Sequence, residues 1–231
     1  MCGRYLIEDE AYADILQILH DLNAAQDRIN MDNALLGEVF PTNIAPVVQH
    51  DGALAVKWGF PHWKNSGVII NARSETALEK KMFGKPLRER RCVVPSSGFY
   101  EWGHSSNMSL GSGSLSGNMS LFDNGDLQDS GTHNGNRSGK SKKKDKFLLR
   151  QPDNNILYMA GMVSTFRDAL GEPYDAFVIL TTAANESVAP IHDRMPVILA
   201  PDEASFWVKD DGFMEFVLHR PGPELSLSMV S

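Results

Sequence analysis

The sequence predicts an α+β fold, and three observations carry that expectation. Strand-like apolar runs dominate: Leu54–Phe60, Gly67–Ile70, Cys92–Pro95, Gly98–Trp102, Phe147–Arg150, Ile156–Val163 and Tyr174–Thr182 are short and rich in β-branched and aromatic residues. Helical spacing is confined to a few segments. The length of 231 residues, with 42% hydrophobic content, is enough to bury a sizeable core.

Taken in order, the chain opens on Met1-Cys2-Gly3-Arg4. With Met1 removed, Cys2 carries a thiol and an α-amine on adjacent carbons, a 1,2-aminothiol. An α-amine titrates near about 7.7–8.0, well below a lysine, so a useful fraction is unprotonated at neutral pH. Such an amine attacks an aldehyde to give a Schiff base, and the neighbouring thiol can then close a five-membered thiazolidine. On these residues alone, Cys2 is equally well simply the second codon.

Residues 9–22 place Ala11, Ala13, Ile15, Leu16, Ile18, Leu19 and Leu22 at helical spacing, with acids in the first turn. Phe40–Pro46, punctuated by prolines, reads as an ordered loop. The strand Leu54–Phe60 ends in the aromatic cluster Trp58-Gly59-Phe60-Pro61-His62-Trp63, which serves either as core or as a platform on which nucleobases stack. Gly67–Ile70 leads into Asn71-Ala72-Arg73-Ser74-Glu75-Thr76, polar residues just past a strand end, with Ser74 as the expected N-cap of the next helix.

Residues 80–91 hold Lys80, Lys81, Lys85, Arg88, Arg90 and Arg91 against Glu89 alone; a solvated helix face and a row of phosphate contacts both fit. Two short strands, Cys92–Pro95 and Gly98–Trp102, are expected around a Ser96-Ser97 turn. Cys92 reads as an inert core thiol. Glu101 lies among aromatics, a setting that raises a carboxyl pKa and suits proton transfer, although a lone Glu there is also a common edge-strand surface residue.

From 103 to 146 the composition shifts: serine, glycine and asparagine make up just over half the residues, and Asn-Met-Ser-Leu recurs at 107 and 118. Such a segment cannot bury enough apolar surface to offset its ordering entropy, so a disordered insertion is expected. Its end carries Lys140, Lys142, Lys143, Lys144 and Lys146, which fit loose DNA contacts, a nuclear-import patch or a solvated tail. Order resumes with Phe147–Arg150, Ile156–Val163 and the nearly all-apolar Tyr174–Thr182, expected to be central. Asn185-Glu186 begins a short helix or turn. Ile191-His192-Asp193-Arg194-Met195-Pro196 follows, with His192 suited to proton shuttling at neutral pH, and Asp202 is the expected cap of a helix carrying Phe206, Trp207 and Val208.

Several classes are excluded. The formal charge of −7 confines any nucleic-acid site to a local basic face. No run approaches 18 apolar residues, and Glu8-Asp9-Glu10 follows the start without an apolar stretch, so neither membrane span nor secretion is expected. The glycosylation sequons at Asn107 and Asn118 therefore carry no weight. Two cysteines and seven scattered histidines offer no metal-ligand spacing, and no cofactor is implied.

Taken together, Met1-Cys2-Gly3-Arg4, Asn43-Ile44-Ala45-Pro46, Trp58-Gly59, Asn71–Thr76, Cys92–Trp102 and His192–Pro196 closely resemble, in order, the SRAP family of SOS-response-associated peptidase or abasic-site-processing proteins. The resemblance implies one SRAP domain over 1–231, interrupted by the insertion, with antiparallel strands closed into a barrel-like core and peripheral helices. It implies binding of single-stranded DNA at abasic sites and a covalent thiazolidine crosslink through Cys2 that shields the lesion. Carried over by motif, Cys2 is the nucleophile, Asn71 positions the amine and sugar, Glu101 moves protons during imine formation and crosslink reversal, and His192 assists ring opening and Schiff-base protonation. Arg4, Arg73 and Arg194, with Trp58 and Thr181, are the implied DNA contacts. The family name also implies peptidase-like removal of Met1.

The resemblance further implies a monomer inside the cell, in cytoplasm or nucleoid of a bacterium or the nucleus of a eukaryote. Three departures stand out. Trp58–Trp63 is one residue shorter than the family run, Ile191 replaces a threonine, and Leu225–Ser231 resembles the start of a longer C-terminus. Two readings of other classes remain alongside: an N-terminal cysteine hydrolase of amide bonds, and a non-catalytic reader of modified single-stranded DNA.

Overall fold

The computed structural model describes residues 2–9, 36–62, 64, 66–104, 144–152 and 156–230. The expected helix at 9–22, most of the 103–146 insertion, Met1 and Trp63 lie outside the described residues.

The described chain runs β1 (Tyr5–Ile7), β2 (Gly37–Val39), β3 (Ile44–Gln49), β4 (Gly52–Trp58), β5 (Phe60–Pro61), β6 (Val68–Ile69), β7 (Asn71–Arg73), α1 (Ser74–Ala77), α2 (Lys81–Glu89), β8 (Arg91–Ser96), β9 (Gly98–Gly103), β10 (Asp145–Arg150), β11 (Leu157–Arg167), β12 (Pro173–Ala183), β13 (Arg194–Pro196) and β14 (Ile198–Leu199). A 3-10 turn (Pro201–Glu203), α3 (Ala204–Lys209), α4 (Asp211–His219) and β15 (Ser226–Val230) complete it.

Five strands close on themselves in the order β12-β4-β3-β8-β11, the ring completed by β11 pairing β12. This is the expected α+β fold with its barrel core. Closure uses a parallel contact, β12 with β4, and β7 also joins β12 in parallel; the other ladders are antiparallel. The barrel is filled by Trp58, Phe177, Val47, Val94, Met159 and their neighbours, all fully buried. Apolar runs such as Val93-Val94 and Ala176–Leu180 are buried without alternation, because one face looks into the barrel and the other is covered. Cys92 lies there too; a Cβ at Gly161 would come within 3.1 Å of its sulfur and 2.8 Å of the Val178 carbonyl, so glycine permits the close strand approach.

A second sheet, ordered β15-β10-β9-β1-β2, packs beside the barrel. The two are joined by the run 91–103. The expected turn at Ser96-Ser97 is instead a bend: β8 pairs β3 and β11 in the barrel, whereas β9 pairs β1 and β10 in the second sheet. Ser97 marks the corner, its amide donating to the Leu6 carbonyl and its hydroxyl accepting from Glu8 N.

Other local expectations shift. The ordered loop contracts to Phe40–Asn43, with Asn43 Oδ1 accepting from Phe40 N, and Pro46 sits inside β3. The expected strand 54–60 breaks at Gly59, whose φ of +115° turns the chain from β4 into β5. Ser74 is the first residue of α1, and its buried hydroxyl makes no hydrogen bond among the described residues, so it is not the cap. Asp202 likewise makes no cap; Glu203 accepts from Ala200 N at 2.7 Å. Residues 186–191 form turns. Neither α4 nor β15 was expected.

Candidate functional site

The site forms where the start of β1, the end of β9, strand β7 and the turn before β13 meet. Tyr5 pairs Phe99 and Leu6 pairs Gly98, and Tyr100 N donates to the Arg4 carbonyl at 2.9 Å. Continuing that antiparallel register draws Cys2 and Gly3 alongside Glu101 and Trp102. On the other side, Asn71 Nδ2 donates to the Cys2 carbonyl at 2.9 Å. Cys2 is thus led to its place by the register of β1 on β9 and held by a side chain from sixty-nine residues on.

Trp58 is part of the mounting. Fully buried, it stacks on Phe177 at 6.2 Å, meets Tyr5 edge-on at 5.0 Å and donates its indole N–H to the Ile70 carbonyl at 3.1 Å. It braces both the strand that carries Cys2 and the residue before Asn71. The expectation of Trp58 as a base-stacking platform is corrected here: its faces are occupied by core rings.

Cys2 is fully buried, and its thiol lies 3.9 Å from the Arg4 carbonyl. Burial, reinforced by the charge of Glu101, holds the thiol far above its ordinary pKa. Glu101 is 3% exposed, which places it inside the second sheet rather than on its surface. Burial raises its carboxyl above the usual carboxylate range, with His192 among the groups pulling the other way. His192 Nδ1 lies 3.0 Å from the main-chain nitrogen of Arg194, which donates to it when Nδ1 is unprotonated. Asp193 Oδ1 lies 2.9 Å from the same Nδ1 and becomes an ion-pair partner when the ring is charged. Ile191, where a threonine was expected, packs onto Gly103 and brings no hydroxyl: a Cβ on Gly103 would come 2.7 Å from Ile191 Cγ2.

Asn71 Oδ1 and Tyr5 Oη are buried atoms of the site with no hydrogen-bond partner among the described residues. Tyr5 was not singled out from sequence, since a tyrosine in an apolar strand start looks like core, and nothing in the sequence reveals that its hydroxyl is sealed near Cys2.

The implied DNA contacts divide. Arg73 is exposed at the end of β7. Thr181 is buried, its hydroxyl 3.5 Å from the Ala72 carbonyl, so it is no direct phosphate contact; its own carbonyl accepts from Arg194 Nη2 at 2.5 Å. Arg194 is further engaged by Glu75, and Arg4 by Glu38, with the Arg4 guanidinium stacked between Phe40 and Trp102 at 4.2 and 5.1 Å from their ring centroids.

The basic run 80–91 also splits. Lys80, Lys81 and Lys85 line a cavity of about 900 Å³ with Arg73 and Asn71, floored by Ile69, Phe83 and Phe166. Arg90 pairs with Asp175, and Arg91 is buried, so these two serve the fold. A basic rim around an apolar floor, adjoining Asn71, is suited to a strand with unstacked bases. Among the described residues no helix is long and apolar enough to cross a membrane.

The chain matches known proteins in sequence and in fold. The family model of SOS response associated peptidase (SRAP) matches residues 1–111 and 136–231, passing over the middle of the serine- and glycine-rich segment. Abasic site processing protein YoqW of Bacillus subtilis is 29% identical over 224 residues, covering 90% of this chain and 80% of its own. Abasic site processing protein YedK of Escherichia coli is 27% identical over 221 residues, 91% of this chain and 81% of its own. Abasic site processing protein HMCES of Rattus norvegicus is 33% identical over 165 residues, 66% of this chain and 44% of its own. A crystal structure of a Bacteroides thetaiotaomicron protein shares the fold with a TM-score of 0.73 at 20% identity, over 100% of this chain and 92% of its own.

Proposed function

The chain belongs to the SRAP family, and from that premise we propose that it captures abasic sites in single-stranded DNA as a covalent thiazolidine through Cys2. The observation that carries this reading is the bond from Asn71 Nδ2 to the Cys2 carbonyl, which ties down the second residue of the chain near the buried Glu101 carboxyl, itself within electrostatic reach of His192. A residue near a chain terminus is ordinarily poorly ordered unless tied down. Here it is tied down where an acid and a base are needed.

The reaction begins with excision of Met1, by hydrolysis of the Met1–Cys2 amide. The exposed Cys2 amine adds to C1 of the ring-opened deoxyribose. One water leaves as the C=N bond forms. The Cys2 sulfur then bonds to C1, and the thiol proton passes to the nitrogen, so capture consumes no cofactor. Glu101, protonated more readily than an ordinary carboxyl, takes the proton of the ammonium and returns it to the departing hydroxyl. His192 presents Nε2–H for sugar-ring opening. Asn71 Oδ1, a buried acceptor, receives an N–H of the new α-amine. The depressed acidity of the thiol supports this order, amine first and sulfur second, over a hydrolase that would need a ready thiolate. Arg73, Arg4 and Arg194 take phosphates of the strand, and Lys80, Lys81 and Lys85 extend that track.

The test is intact mass of the protein before and after incubation with a single-stranded oligonucleotide bearing one abasic site. The expected product has lost Met1 and gained the oligonucleotide less one water; it survives heating and is absent in Cys2→Ala. Retained Met1 with no adduct overturns the reading.

A further inference from the structure

Two of the arginines assigned to phosphates are already gripped by carboxylates. Arg194 Nη1 and Nη2 donate to Glu75 Oε1 and Oε2 at 2.6 and 2.9 Å, a two-point fork. The arginine side chain is 12% exposed and the glutamate 44%, so the carboxylate covers the guanidinium from the solvent side. Arg4 Nη1 donates to Glu38 Oε2 at 3.0 Å, while Lys146 Nζ holds Glu38 Oε1 at 2.5 Å. Lys146 and then Arg4 keep the Glu38 carboxyl below the usual range, and Arg194 does the same for Glu75.

A carboxylate across a guanidinium fork occupies the place that two non-bridging phosphate oxygens would take. Resting on the assignment of Arg4 and Arg194 to phosphates, we propose that Glu38 and Glu75 are resident competitors of the DNA backbone, which phosphates must displace. When a phosphate meets an unpaired arginine, condensed counterions of the DNA are released and binding gains the associated entropy. Here the arginine already has a counter-charge, and it is covalently part of the protein. Displacing it leaves an anion beside the phosphate and cancels part of that gain. Reversible affinity for undamaged strands is thereby held down. Covalent capture does not depend on that equilibrium once the aldehyde is engaged, so the device shifts occupancy from undamaged DNA towards lesions.

The test is fluorescence anisotropy with an undamaged single-stranded oligonucleotide across a potassium chloride series. Glu38→Gln and Glu75→Gln keep side-chain shape and remove the charge. Each is expected to tighten binding about threefold and the pair about tenfold. Each should also steepen the slope of log K against log salt by roughly 0.7, the increment for one more phosphate neutralised on a single strand. Glu79→Gln, exposed in the turn between α1 and α2, is the control for net charge and should leave the slope unchanged. An unchanged slope in the Glu38 and Glu75 variants, or an equal effect from Glu79→Gln, overturns the competitor role. Arg4→Ala and Arg194→Ala separate the two levels. If both bind as tightly as the parent, the phosphate assignment itself falls; if they bind more weakly while the glutamine variants do not tighten, only the competitor role falls.

Discussion

At the scale of single residues, the proposed mechanism asks most of Glu101. A buried carboxyl with a raised pKa binds its proton more tightly in the native than in the unfolded chain. Its favourable contribution is therefore complete below the ordinary carboxylate pKa and is lost as pH rises through the raised value. Glu101→Gln keeps the neutral shape at every pH. The variant should melt together with the parent below the ordinary carboxylate pKa and progressively above the parent as pH rises through the raised value, read by thermal unfolding across a pH series. A constant difference would show that ionisation is not its source. The same change should slow adduct formation about a hundredfold without abolishing it, measured by single-turnover gel shift. Cys2, Asn71, Glu101 and His192 were legible in the sequence as candidates, through the family motifs that contain them and the chemistry of their residue types. The roles of Trp58 and Thr181 were not. Strand alternation fixes which residues share a face, and only closure of the barrel decides that the face of Trp58 points inward.

At the scale of elements, Arg91 holds three helices together. Its guanidinium is 3% exposed and donates to the Leu87 and Arg88 carbonyls of α2 at 3.1 Å and to the Trp207 carbonyl of α3 at 2.5 Å. It also pairs with Asp211 of α4 at 2.8 Å. Arg91→Ala strands these acceptors and should cost about 3–5 kcal/mol in urea unfolding. Arg91→Lys should recover little, because one ammonium cannot reach a fork of partners. Asp210→Ala removes the cap on Phe213 N and should cost about 1 kcal/mol. The basic run that contains Arg91 looked uniform in the sequence, yet it divides into groove lysines and structural arginines. Charge alone does not say which side of a helix end meets the core. The apolar runs were legible as strands, whereas β1, β2 and β15 were not: three to five residues with mixed burial carry too little periodicity.

At the scale of the molecule, the long serine- and glycine-rich segment leaves from and returns to adjacent strands. Gly103 of β9 pairs Asp145 of β10, so the ends of the segment between them lie one strand spacing apart. Replacing residues 104–144 by Asn-Gly should leave adduct formation intact and stabilise the fold by about 2 kcal/mol, from the smaller loop-closure entropy. Loss of the adduct with an intact melting transition would instead give the segment a part in binding DNA. A different consequence follows from the way Cys2 is held. Its partners, Asn71 and the strand 98–103, leave the ribosome long after the first residues do. Until they arrive, the Met1–Cys2 peptide is an open substrate for any aminopeptidase at the tunnel exit; once they arrive, Cys2 is sealed. If Met1 is excised as proposed, maturation is a race between excision and folding. A slow-folding sequence serves it better than a fast one, unless the finished site cuts its own leader.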